Sequence, residues 1–223
     1  MVQGGDIMHT VNPPPDLHIP QTMEYFKLSA APNTRLWRQK AGEQVSTAPI
    51  VYSIERDFLV AEVNVMGEYL TEMDQGGLVL FFDRHPTHGS SPLTARTGEW
   101  VKVGFEICDG QVYAVSEHAA SRGTDKTYYF VSPYITTTFL TSSNLHFGVK
   151  LQRNNETLDL WYQPEPTSSS NIRDVNDSWL RLGQITGFFP PEGKSEVCVG
   201  VFASRPSNAP DNLVVEFEDL DIL

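Results

Sequence analysis

An all-β sandwich or jelly roll is the fold this sequence predicts, on three observations. Short runs rich in valine, phenylalanine and threonine recur from Tyr25 onward, separated by turn residues. No long stretch repeats its apolar residues at a helical period. The 223 residues, 40% hydrophobic and 11% aromatic, supply one large core without a second domain.

Residues 1–22 contain Pro13-Pro14-Pro15 and two glycines, and read as a flexible or surface-draped N-terminal arm. Residues 23–223 read as a single domain. Its strand-like runs are, in order, "PIVYSI", "FLVAEVNVM", "GLVLFFD", "WVKVGFEIC", "QVYAVSE" and "KTYYFV", then "LHFGVKLQR", "TLDLWYQ", "WLRLGQI", "EVCVGVFAS" and "LVVEFEDLDI". Asp109-Gly110 marks a hairpin, because glycine tolerates the positive φ that tight hairpins need. Asn154-Asn155 marks a second turn, and "PEPTSSSN" (164–171) a polar loop within the domain. No internal repeat is present.

The formal charge of −12, from 16 basic and 28 acidic residues, argues against nucleic acid, which needs a basic footprint on its phosphates. The same electrostatics argue against acidic membrane surfaces. No apolar run approaches the roughly 20 residues of a spanning helix, and the N-terminus has no basic start followed by an apolar segment. Cys108 and Cys198, both in apolar runs, read as buried thiols of a reducing compartment, so a cytoplasmic protein is expected.

Side chains alternate along a strand, so Val101, Val103, Phe105 and Ile107 share a face that belongs in the core. Trp100, Lys102, Gly104 and Glu106 share the other. Lys102 and Glu106 lie about 13 Å apart along the strand, too far to pair with each other. "HFGVKLQR" repeats the pattern, with Phe147, Val149 and Leu151 opposed to His146, Gly148, Lys150 and Gln152. A glycine amid long polar side chains on both strands fits either a ligand trough or a solvated face with ion pairs such as Glu106–Lys150. A tryptophan, with its apolar ring and polar edge, suits recognition of sugars and flat organic ligands.

"DQGGL" (74–78), "WVKVGFE" (100–106) and the ending "EVCVGVFASRP…VVEFEDLDI" resemble the regulation-of-enolase-like family, a domain of unknown function with a concanavalin A-like jelly roll. The resemblance runs from about Tyr25 to Leu223. It implies two antiparallel sheets, one curved around a concave face, and assigns no common reaction. It also implies that Asp74, Gln75, Trp100, Lys102, Glu106 and Trp179 occupy recurrent motif positions that line or support that face. The chain departs from the family at Met73, at "SEHAASRGTDKTYYF" and at "VSPYITTTFLTSSN" (131–144), all on expected loops around the rim.

Glycoside hydrolysis needs two carboxylates about 5–5.5 or 6.5–9.5 Å apart. Glu106 has no acidic neighbour two residues away, and Glu216/Glu218 and Asp219/Asp221 read as a solvated edge, so hydrolysis is the least favoured chemistry. Asp83, His85 and His88 could together hold a divalent metal, yet "DRHPTHGS" reads as a solvated loop, and no metal is expected. There is no nucleophile elbow and no phosphate-cradling glycine loop.

The expected function is a binding module holding a small organic or carbohydrate-like ligand on the concave sheet. Asp74, Gln75, Trp100, Lys150 and Trp179 would contact it. One alternative is a cofactor-independent cyclase or isomerase that uses Lys102, Glu106 and His118 for proton transfer, with 131–144 capping the substrate. Another is a regulatory partner of a metabolic enzyme.

Overall fold

The computed structural model describes residues 7–38, 44–82, 99–109, 111–119, 127–133, 145–163, 179–189 and 196–223. The Asp83–His85–His88 loop, residues 134–144, 120–126 and the loop 164–171 lie outside the described residues.

Among the described residues fifteen strands form in chain order: β1 (His9–Val11), β2 (Tyr25–Ala30), β3 (Leu36–Arg38), β4 (Gln44–Ser46), β5 (Ile50–Glu55), β6 (Val60–Gly67), β7 (Gln75–Phe81) and β8 (Trp100–Cys108). They continue as β9 (Gln111–Ala119), β10 (Thr127–Pro133), β11 (Leu145–Asn154), β12 (Thr157–Gln163), β13 (Leu180–Ile185), β14 (Val197–Ser204) and β15 (Leu213–Ile222). All eleven runs read from the sequence are strands. No helix occurs among the described residues, hence none long and apolar enough to cross a membrane.

A seven-stranded antiparallel sheet runs β1-β5-β14-β7-β8-β9-β10, and a six-stranded one β13-β12-β11-β6-β15-β2. Strands distant in sequence lie side by side, as a jelly roll requires. Between the sheets lies the main core, where Val101, Val103, Phe105 and Ile107 meet Phe147, Val149, Leu151, Val215 and Phe217. Phe105 stacks on Phe147 with ring centroids 4.1 Å apart. The expected alternation on β8 and β11 therefore holds.

Two turns use the residues their backbones demand. Cys108 pairs with Gln111 across the β8–β9 hairpin, and Asp109 takes φ 52°. Asn154 pairs with Thr157, so the β11–β12 turn is Asn155-Glu156, one residue later than expected, with Asn155 at φ 56°. Asparagine and aspartate tolerate this left-handed conformation better than other non-glycine residues.

The described part of the N-terminal stretch lies against the sandwich. His9–Val11 pairs with β5 at the edge of the seven-stranded sheet, and Leu17 and Ile19 pack against the main core. Cys108 is half-buried and Cys198 buried, and both thiols are free.

The seven-stranded sheet is buried on both faces along β7, β8 and β14. Its outer side carries a second core of Val11, Ile50, Tyr52, Val79, Phe81, Trp100, Ala119, Cys198 and Phe202, into which Leu36 and Ala48 pack. Leu36 belongs to a separate two-stranded hairpin, β3–β4. Asn12 clasps the base of that hairpin, its amide donating to the carbonyls of Ser46 and Ala48 at 3.0 and 3.1 Å. The hairpin thus covers part of the outer face, which carries the polar cluster described next.

Candidate functional site

Register on the outer face follows from strand pairing. One row runs Phe81–Trp100–Ala119 across β7, β8 and β9, the next Val79–Lys102–Glu117, then Gly77–Gly104–Val115, and finally Gln75–Glu106–Tyr113. Gly77 and Gly104 face each other because their backbones approach too closely for side chains. A Cβ on Gly104 would lie 2.0 Å from the Gly76 carbonyl oxygen, and one on Gly77 2.1 Å from that of Val103. These glycines serve the approach of two backbones.

Across this side-chain-free row the polar groups connect in series. The Lys102 ammonium donates to Glu117 Oε2 at 2.8 Å, to Gln75 Oε1 at 2.8 Å and to the Leu36 carbonyl at 2.9 Å. All three of its N–H groups are thereby used. Gln75 Nε2 donates in turn to Glu106 Oε2, which fixes the orientation of the amide. The rings of Trp100 and Phe202 each lie 5.7 Å from the ammonium and add cation–π attraction. Lys102, Gln75, Glu106 and Glu117 are only 5, 6, 3 and 4% exposed.

The cluster leaves one oxygen open. Glu117 Oε1 is buried and has no hydrogen-bond partner. An unpaired buried acceptor of this kind costs about 1–3 kcal/mol, more when charged. Along β9 its neighbours on this face are Val115 and Ala119, whose side chains have no donors, and across the sheet Glu117 lies between Lys102 on β8 and Tyr129 on β10.

The sequence-predicted residues therefore divide. Gln75, Lys102 and Glu106 come together in one cluster with Trp100 beside them. Trp100 is fully buried, so it walls the ammonium and is not an open stacking platform. Asp74 is fully buried and accepts five hydrogen bonds: from the Leu70 and Thr71 amides, the Thr71 hydroxyl, and Nε and Nη2 of Arg205. It supports the start of β7.

His118 follows Glu117 on β9 and so points to the opposite side. It is paired with Val101, its ring packs edge-on to Phe188 at 5.7 Å, and Nε2 lies 3.4 Å from Glu99 Oε1. It faces the space between the sheets, away from Lys102 and Glu106.

Lys150, on β11, and Trp179, just before β13, lie on the side of the other sheet. β8 and β11 lie in different sheets, so their polar faces look outward in opposite directions and form no shared trough. The Lys150 ammonium sits 3.9 Å from the Trp179 ring centroid and 3.7 Å from Glu62 Oε2, which replaces the expected partner Glu106. Gly148 is small because the Trp179 ring lies over it, 3.0 Å from where a Cβ would be. Trp161, opposite Lys150, is half-buried with its indole N–H unpartnered, and Trp37 is exposed.

Glu117 is the residue that the sequence reading missed. It ends the run "QVYAVSE", and its signal was present: pairing through the Asp109-Gly110 turn places position 117 opposite Lys102. No group of three or more histidine, cysteine, aspartate or glutamate side chains among the described residues is arranged to hold a metal ion.

The two-sheet architecture, with its strand order and buried outer cluster, defines a concanavalin A-like jelly-roll protein. The match narrows this further: residues 11–223 fit the family described as "Protein of unknown function (DUF1349)", and the chain belongs to that family. It is similar to uncharacterized protein AN7484 of Emericella nidulans, 30% identical over 203 residues covering 88% of this chain and 85% of that one. A Saccharomyces cerevisiae protein described as functionally unknown shares the fold with a TM-score of 0.69 at 18% identity, covering 97% of this chain and 95% of the other. The Bacillus licheniformis GH43 protein BlXynB (mutant K247S) matches at a TM-score of 0.55 and 12% identity, over 89% of this chain and 32% of its own.

Proposed function

We propose that the protein holds a small organic or carbohydrate-like molecule on the outer face of its seven-stranded sheet. Gln75, Lys102, Glu106 and Glu117 would form the polar wall of that site. One observation carries this reading. Two carboxylates and an ammonium are nearly withdrawn from water on a face that is largely apolar. Burying ion pairs seldom adds stability over well-packed apolar residues, and local rules are broken mostly at functional sites.

A second reading, proton transfer by a cyclase or isomerase, draws on Lys102 and Glu117, an ammonium and a carboxylate 2.8 Å apart in a nearly dry setting. Such a pair can hold and move a proton without covalent catalysis. Glycoside hydrolysis is disfavoured. Glu106 and Glu117 are offset by four residues along paired strands, with Gln75 and Lys102 between them.

The test is thermal stabilisation by a library of oligosaccharides and cyclic organic metabolites, on wild type and Glu106→Gln. A ligand at a hundredfold excess over its dissociation constant adds about 2.7 kcal/mol of apparent stability. Hits weakened by Glu106→Gln support the site. If wild type gains no stability from any compound, the reading fails and a protein partner takes its place.

A further inference from the structure

The geometry points to an uncharged, hydroxyl-bearing ligand that donates a hydrogen bond to Glu117 Oε1. This inference rests on the ligand-site reading above and names the chemistry that site selects.

Glu117 is 4% exposed, with Oε2 bound by Lys102 at 2.8 Å and Oε1 buried without a partner. The open position is therefore an acceptor set beside a saturated cation. Among the described residues an anionic group finds nothing to bind there. The three N–H groups of Lys102 are committed to Leu36, Gln75 and Glu117, and the carboxylates of Glu117 and Glu106 repel it.

A cationic group meets a different obstacle. Lys102 holds the other oxygen of the same carboxylate and repels a second ammonium on Oε1, which also pays the desolvation cost of a buried ion. A hydroxyl avoids both penalties. It forms a short, charge-assisted O–H···O⁻ bond and brings no net charge into the site. Val115 and Ala119 flank Glu117 along the strand and add only apolar contact, which suits the carbon skeleton carrying the hydroxyl.

The experiment uses triplets of neutral, amino and carboxylate forms built on pyranose, cyclohexane and aromatic rings, with binding measured by calorimetry on the full chain. The neutral member of a triplet should bind wild type at least about tenfold more tightly than its charged analogues. In Glu117→Gln the carbonyl must keep facing Lys102, which can only donate, so the amide nitrogen turns towards the ligand. That variant should lose about tenfold or more for the neutral form and gain affinity for the carboxylate.

Amino forms binding best to wild type, and weakened by Glu117→Gln, would overturn the inference while leaving the site intact. Neutral binding unchanged in Glu117→Gln would overturn Glu117 as the contact. No binding by any triplet would overturn both this inference and the ligand-site reading. The wild-type ranking stands even if the variant fails to fold.

Discussion

Arg205, at the end of β14, grips Asp74 with two parallel bonds, Nε to Oδ1 at 3.0 Å and Nη2 to Oδ2 at 2.7 Å, where both side chains are almost wholly out of water. The same guanidinium donates to the Asp211 carbonyl at 2.7 Å, and Asp74 also holds the Leu70 and Thr71 amides. One buried pair thus ties the entry to β7 to the exit of β14. Removing either partner strands the other charge, so Asp74→Ala and Arg205→Ala should each lose about 3–5 kcal/mol. Urea unfolding measures this. A loss near that of an exposed pair, about 1 kcal/mol or less, would show that the pair is not holding these strands.

Lys102 and Glu117 form a second buried pair, now between neighbouring strands. Lys102→Met leaves Glu117 with both oxygens unpaired and should destabilise by about 3–5 kcal/mol. Adding Glu117→Leu removes the stranded charge, and the double variant should recover most of that loss. A double-mutant cycle should give a coupling of about 1–3 kcal/mol. Additive effects would mean that the two side chains do not depend on each other.

Much of the fold could be read from the sequence because all eleven longer runs are either alternating or continuously apolar and are bounded by turn residues. The strands that escaped were β1, β3 and β4, three residues each, too short to show a period, and the six-residue β2. Their role depends on tertiary contact: Leu36 is buried only because β3 lies over the outer face of a distant sheet. The site was half legible. Alternation put Lys102 and Glu106 on one face, but it cannot say which strands are neighbours. Lys150 and Trp179 were therefore joined to a face on the far side of the sandwich. His118 needed only its parity on β9, one residue from Glu117, to be excluded.

The facing glycines make a sharp test of the backbone. A Cβ on Gly104 would meet the Gly76 carbonyl oxygen at 2.0 Å, and backbone cannot yield as a flexible side chain can. Gly104→Ala should therefore cost about 3 kcal/mol or prevent folding, at the upper end of overpacking effects. Gly183 on β13 is the control, since a Cβ there meets nothing nearer than Leu160 Cδ1 at 3.9 Å. Gly183→Ala should stay within about 0.5 kcal/mol of wild type. Equal melting temperatures for the two variants would contradict the close approach of β7 and β8.

On the six-stranded sheet, Glu216 joins β15 to the edge strand β2. Lys27 Nζ donates to its Oε1 at 2.8 Å and the Tyr25 hydroxyl to its Oε2 at 2.6 Å. The hydrogen bond from Lys27, followed by that from Tyr25, holds the Glu216 carboxyl below its ordinary value of 4.5. A carboxyl with a lowered folded-state pKa contributes stability that is present above its unfolded value and is lost as pH falls through the folded one. The stability gap between wild type and Glu216→Gln should therefore be open near about pH 7, begin to shrink below 4.5, and close at lower pH. The pair is largely solvent-exposed at Lys27, so the gap should be modest and should narrow in high salt. Urea melts between about pH 3 and pH 7 at two salt concentrations measure both effects. A gap that stays constant through the acid range would show that the hydrogen bonds to Glu216 do not favour its ionised form.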